Sequence, residues 1–190
     1  MSSQRANFLT PAEYLEIERR AERKSEYYQG EMFAMAGATR KHSLIVTNLV
    51  FELVGQLRAK PCEVHSADMR LRVASTGLYT YPDVVVVCGE PQFADDQRDT
   101  LLNPALVIEV LSESTENYDR GRKFELYRTL PSLLEYLTIA QDRSHIEHHT
   151  RQEKYWTLVE YGDLSQTIQL TSIGAALPLS SVYDKVDFGR

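Results

Sequence analysis

Asp83 follows Tyr81-Pro82 and opens the apolar run Val84-Val85-Val86-Val87. Glu109 lies inside a second apolar run, Leu106-Val107-Ile108-Glu109-Val110-Leu111, with Asn103-Pro104 before it. Aliphatic runs bounded by turn residues read as buried strands. A carboxylate in such a strand is costly unless it is paired, protonated or bound to a cation. If the two strands are neighbours, Asp83 and Glu109 converge, and two carboxylates are oxygen ligands suited to Mg²⁺ or Mn²⁺. Lys123 follows on a basic stretch with Arg120, Arg122 and Arg128. An ammonium beside a metal can orient a water nucleophile or stabilise charge developing on phosphorus. Together these are the parts of metal-assisted phosphodiester hydrolysis.

Other chemistry is weakly supported. His145, Glu147 and His149 share one face of a strand read at period two, with His148 on the other. Neither paired cysteines nor a helical HExxH spacing accompanies them, so a solvent-facing strand is the better reading than a zinc site. No phosphate-binding glycine loop, nucleophile elbow or nucleotide fingerprint appears.

Several elements must position the acids and the lysine. Thr10-Pro11-Ala12-Glu13 has the residues of a capping box, which predicts a helix running to about Arg23. Gln29-Gly30 between aromatic-containing arms predicts a hairpin or tight bend. Ile45, Leu49, Leu53 and Leu57 recur at helical spacing, which predicts a long helix over 40–58 that buttresses a sheet. Strands are expected at 62–65, 68–73, 78–88, 106–111, 133–139, 144–150, 155–160 and 166–170, with a second helix over 117–130. The tail at 177–183 has no clear period and reads as irregular or a short helical turn. The sum is an α/β (α+β) arrangement: a mixed central sheet flanked by helices.

Composition narrows the rest. The 190 residues suit a single domain spanning 1–190 with a real core. A net charge of −6 argues against a protein that coats nucleic acid non-specifically, though not against a local basic groove. Cys62 and Cys88 are distant in sequence and read as free thiols, as in a reducing cytoplasm. The sequence shows neither an export segment nor an apolar membrane span, and a cytoplasmic protein is expected.

Tyr81-Pro82-Asp83-Val84 and the run from Pro104 through Glu109 to Ser112 resemble the PD-(D/E)xK nuclease superfamily. More closely, the chain resembles the bacterial Uma-two family of restriction-endonuclease-like proteins. The supporting stretches are Glu26-Tyr27-Tyr28-Gln29-Gly30-Glu31, His42 opening the long helix, Lys123-Phe124-Glu125-Leu126-Tyr127, and Glu135-Tyr136-Leu137. The resemblance runs from Thr10 to about Tyr183. It implies a restriction-endonuclease-like fold and a Mg²⁺-dependent endodeoxyribonuclease, with Mn²⁺ able to substitute. Asp83, Glu109 and the Val110 carbonyl would hold the metal, Lys123 would be catalytic, and DNA the partner. A homodimer is implied as well, since many nucleases of this superfamily pair to cut two strands.

One position departs from the pattern. The superfamily lysine stands two residues after the second acid, where this chain has Leu111, so Lys123 would have to supply the ammonium from the following helix. Glu31 reads either as a further metal-site acid or as an exposed hairpin residue. His42 reads as a phosphate-approaching group or a half-buried one, and Arg120 and Arg122 as DNA-phosphate contacts or a solvated face. The rival functions are a nuclease-like DNA-binding or protein-interaction module that no longer cuts, and a hydrolase of a smaller phosphate ester.

Overall fold

The computed structural model describes residues 8–112 and 116–189. Glu113, Ser114 and Thr115 lie outside them. The element order is α1 (Pro11–Glu18), β1 (Ser25–Tyr28), β2 (Glu31–Ala34), α2 (Arg40–Leu57), β3 (Cys62–Ser66), β4 (Arg70–Val73), β5 (Leu78–Thr80), β6 (Val84–Cys88), β7 (Thr100–Leu101) and β8 (Leu106–Leu111). There follow α3 (Glu116–Tyr118), a π-helical turn at Asp119–Lys123 and α4 (Phe124–Tyr127). The remainder is β9 (Glu135–Ala140), β10 (Ile146–Arg151), β11 (Trp156–Tyr161), β12 (Thr167–Leu170), β13 (Ala175–Pro178) and α5 (Leu179–Val182).

Among the described residues the mixed central sheet has six strands, and two further sheets accompany it. Six strands run in the order β11-β10-β9-β8-β6-β3, five in the order β2-β1-β5-β4-β7, and β12 pairs with β13. The strand expected over 78–88 is accordingly two. Its first half, β5, belongs to the five-stranded sheet, and its second half, β6, to the six-stranded one. Pro82 lies between them. It has no N–H for a ladder, so the chain leaves one sheet there and enters the other. Asp83 therefore stands at the junction of the two sheets.

β6 and β8 are antiparallel neighbours, with Val84 opposite Ile108 and Val85 opposite Val107. Carried one step further, this register sets Asp83 opposite Glu109. β8 and β9 are parallel, so the large sheet is mixed. Alternation divides its faces. Val84, Val86, Leu106, Ile108 and Val110 pack under Ile45, Leu49, Leu53 and Leu57 of α2. Val85, Val87 and Val107 face Leu126 and Tyr127 of α4. Glu109 has the parity of Val107 and points to the helix that carries Lys123.

α1 and α2 each start at a side-chain cap. The capping box at Thr10 and Glu13 is formed, and Thr39 caps α2 by accepting from the His42 N–H at 3.1 Å. α1 ends at Glu18, not at Arg23. Glu18 turns its carboxylate inward to the Ser25 N–H at 2.8 Å and the Tyr81 hydroxyl at 2.9 Å. The charged residues beyond it have no apolar face to bury. The tail is more regular than expected: β13 and α5 bury Leu177, Leu179, Val182 and Tyr183 in the α2 core.

The cysteine expectation is overturned. Antiparallel pairing of β3 with β6 sets Cys62 directly opposite Cys88, with Cα atoms 4.0 Å apart, and the two form a disulfide. The two cysteines are therefore not free thiols. Among the described residues, no helix is long and apolar enough to cross a membrane.

Leu53 is fully buried where α2 meets the sheet. Leu53→Ala should lower stability by about 2–5 kcal/mol in urea unfolding. A loss below about 1 kcal/mol would mean that α2 does not support the core in this way.

Candidate active site

Lys123 is only 5% exposed, and its ammonium is surrounded by acids. Nζ lies 2.9 Å from Glu26 Oε1, 3.0 Å from Glu109 Oε1 and 3.4 Å from Asp119 Oδ1. The Tyr127 hydroxyl donates to the same Glu109 oxygen at 2.7 Å. The local helix explains how Asp119 and Lys123 both face inward. The π-helical turn widens the spacing over 119–123 and buries the two side chains together. The Tyr136 hydroxyl donates to the Asp119 backbone carbonyl at 3.0 Å and ties this turn to β9.

Asp83 stands at the other side of Glu109. Its Oδ2 accepts the Val110 N–H at 2.7 Å and lies 3.2 Å from His42 Nε2. Asp83 thus reads the backbone of the very strand that carries Glu109, and the first turn of α2 brings His42 onto the same carboxylate.

The electrostatics follow from burial and charge count. Burial pushes the Glu109 carboxyl up to about 8; Lys123 pulls it down, while Asp119 and Asp83 add to the rise. Burial alone would lower the Lys123 ammonium, but Glu109, Glu26 and Asp119 hold it well above its ordinary value. For His42, burial also opposes the charge, and Asp83 together with the Val110 backbone raises it above the usual imidazole range. Glu26, Glu109 and Asp119 surround a single buried ammonium, and Asp83 adds its charge beside Glu109. Such an excess of carboxylate is the environment a divalent cation fits. Asp83, Glu109 and the Val110 carbonyl could hold such an ion, with His42 beside Asp83. Glu109 turns its carboxylate onto Lys123 and Tyr127, and would have to leave them in part to serve as a ligand.

The remaining sequence candidates fall elsewhere. Glu31 is exposed at the hairpin end, opposite Tyr28, and does not join the acids. Glu26, five residues earlier on the neighbouring strand, does, and the sequence reading missed it. The available signal was alternation along Ser25-Glu26-Tyr27-Tyr28, which puts Glu26 on the face away from the buried Tyr27. Arg120 is engaged by Glu116 at 2.6 Å and lies 3.3 Å from Glu147. Arg122 is half exposed and bonds Glu125 at 3.1 Å and the Tyr28 hydroxyl at 2.8 Å.

β10 is not the solvent-facing strand expected of it. His149 packs against Phe124 with ring centroids 4.2 Å apart, and His148 is buried beside Glu135. β10 lies between β9 and β11; Ile146 and His148 are buried, and the other face is half-buried, with Phe124 over His149. Among the described residues, His145, Glu147 and Glu160 bring three ligand-type atoms within 4.8 Å of one another. Arg120 already lies against Glu147 there.

The sheet arrangement and the acid–lysine cluster define a restriction-endonuclease-like α+β protein. The chain belongs to the Uma2 family, described as "putative restriction endonuclease", which it matches over residues 11–180. Two relatives come from Synechocystis sp. (strain PCC 6803). The uncharacterized protein sll1609 is 41% identical over 80% of this chain and 86% of its own length. The uncharacterized protein slr1290 is 36% identical over 95% of this chain and 94% of its own length. A solved structure from Anabaena variabilis, titled a "putative nuclease belonging to DUF820", superposes with a TM-score of 0.75. It covers 92% of this chain and 97% of its own at 16% identity, a likeness of fold.

The Asp83–His42 pair yields a direct test. In NMR titration His42 should titrate above the usual imidazole range, and Asp83→Asn should bring it down. A raised folded value means that His42 contributes stability below the unfolded imidazole range, lost as pH rises through the raised value. Titration of His42 unchanged by Asp83→Asn would contradict the pairing.

Proposed function

We propose that this chain is a metal-dependent endodeoxyribonuclease that hydrolyses DNA phosphodiester bonds with Mg²⁺, or Mn²⁺ in its place. The observation that carries this reading is the buried excess of carboxylate around Lys123 at the sheet junction. Membership of a family described as restriction endonuclease supports the hydrolase and the DNA substrate.

Asp83, Glu109 and the Val110 carbonyl would hold the cation. When bound, the cation supplies an activated water and positive charge against the scissile phosphate. His42 and the Val110 N–H fix Asp83, and the Tyr127 hydroxyl fixes Glu109. Lys123 presents its ammonium beside Glu109, where it can orient the attacking water and balance charge developing on the phosphoryl oxygens. It thereby takes the part of the lysine absent at Leu111, since its Nζ reaches Glu109 from the following helix at 3.0 Å. Pairing of two copies, one for each strand, goes with this reading.

The second reading is a nuclease-like DNA-binding or protein-interaction module that does not cut. Leu111 and the net charge of −6 favour it. In the hydrolase reading Lys123, 3.0 Å from Glu109, stands in for the lysine absent at Leu111, and the net charge concerns the whole surface, not the site.

Nicking of supercoiled plasmid separates the two. Cutting should require Mg²⁺ or Mn²⁺. Asp83→Ala and Glu109→Ala should each slow it by at least about a hundredfold, and Lys123→Ala by about 10²–10⁴-fold. Cutting that persists in chelator, or that survives both acid substitutions, would exclude this mechanism.

A further inference from the structure

We propose that Glu26 is a positioning residue that holds Lys123 in place for catalysis, an inference that rests on the hydrolase reading above. A lysine ammonium has three N–H donors. Those of Lys123 are met by Glu26, Glu109 and Asp119 at 2.9, 3.0 and 3.4 Å. The three acceptors are not equivalent. Asp119 belongs to the same helical turn as Lys123 and moves with it. Glu109 is the acid that a cation claims. Glu26 is the remaining anchor, and it comes from the other sheet.

Glu26 is itself held. Thr80 donates its hydroxyl to the same Oε1 that receives Lys123. Thr80 ends β5 and leads directly into Tyr81-Pro82-Asp83, so one short segment both fixes Glu26 and delivers Asp83. A second bond fastens β1 to the same helix: Arg122 donates to the Tyr28 hydroxyl at 2.8 Å. The hairpin is thus docked on the lysine helix at two points, and only one of them enters the acid cluster.

The consequence appears when Glu109 turns toward a cation. The ammonium then loses that acceptor and keeps Glu26 and Asp119. Without Glu26 it retains Asp119 alone and falls back against its own helix, away from the water it must orient. Displacement of a positioned catalytic group by about 1 Å can cost about a hundredfold in rate. Substrate and cation binding do not pass through this contact, so they should change little.

The test compares wild type with Glu26→Gln, Glu26→Asp and Glu26→Ala, using thermal midpoints to follow folding. The first readout needs no activity: acylation of Lys123 by an N-hydroxysuccinimide ester, followed by peptide mass spectrometry. The others are Mn²⁺ affinity by calorimetry, and kcat and KM for plasmid nicking. Glu26→Gln should let Lys123 react at least about tenfold faster and lower kcat by about a hundredfold, with KM and Mn²⁺ affinity within about threefold. Glu26→Asp, which keeps the charge, should recover part of both effects. Unchanged Lys123 labelling in Glu26→Gln and Glu26→Ala would overturn the proposal. So would faster labelling with kcat intact. A Glu26 that merely secures the hairpin would lower the midpoint without moving the labelling, which is also a contrary result. A wild type that cuts no DNA would overturn the hydrolase reading and the catalytic consequence with it, while labelling would still decide whether Glu26 fixes Lys123.

Discussion

The structure depends on one buried cation. The Lys123 ammonium cannot be withdrawn from water without carboxylates at hydrogen-bonding distance, and removing one partner of a buried pair typically costs about 3–5 kcal/mol. Its three acids come from three places: β1 of the five-stranded sheet, β8 of the six-stranded sheet, and the π-helical turn itself. Satisfying the lysine therefore obliges both sheets and the intervening helix to meet at one point. The hairpin, the Pro82 crossing and the widened helical turn all serve that meeting.

The same cluster has more negative charge than its lysine can balance. Glu109 absorbs the imbalance by holding its proton more tightly, because burial favours the neutral form. Asp83 is steadied differently, by a backbone N–H of the Glu109 strand and by His42. The two acids face one another across β6 and β8, yet each has a different partner, His42 for Asp83 and Lys123 for Glu109. In the proposed function both carboxylates would turn from these partners toward a divalent ion.

Much of this was legible in the chain. Asp83 and Glu109 were marked by apolar runs that only a buried strand explains, and Lys123 by its place on the next basic helix. Other features depend on long-range register, which local pattern does not encode. Glu26 and Glu31 flank the same Gln29-Gly30 turn, where Gln29 has φ 50° and Gly30 φ 91°. Which of the two enters the site depends on β1 pairing with β5, where Tyr27 meets Tyr79 from 52 positions away in sequence. Cys62 and Cys88 meet only because β3 runs antiparallel to β6. The π-helical turn resembles any basic helix in composition. Its inward-facing lysine is accounted for by Glu26 and Glu109 beneath it together with its own Asp119.

The central claim is that a divalent cation completes the acid cluster between Asp83 and Glu109. The most direct measurement is the thermal midpoint of the protein as Mn²⁺ is titrated. A ligand that binds only the folded state stabilises it in proportion to the logarithm of concentration once the site is filled. The midpoint of wild type should climb in that way, and the climb should vanish in Asp83→Asn and Glu109→Gln. A wild-type midpoint indifferent to Mn²⁺, or an equal rise in both variants, would contradict the account.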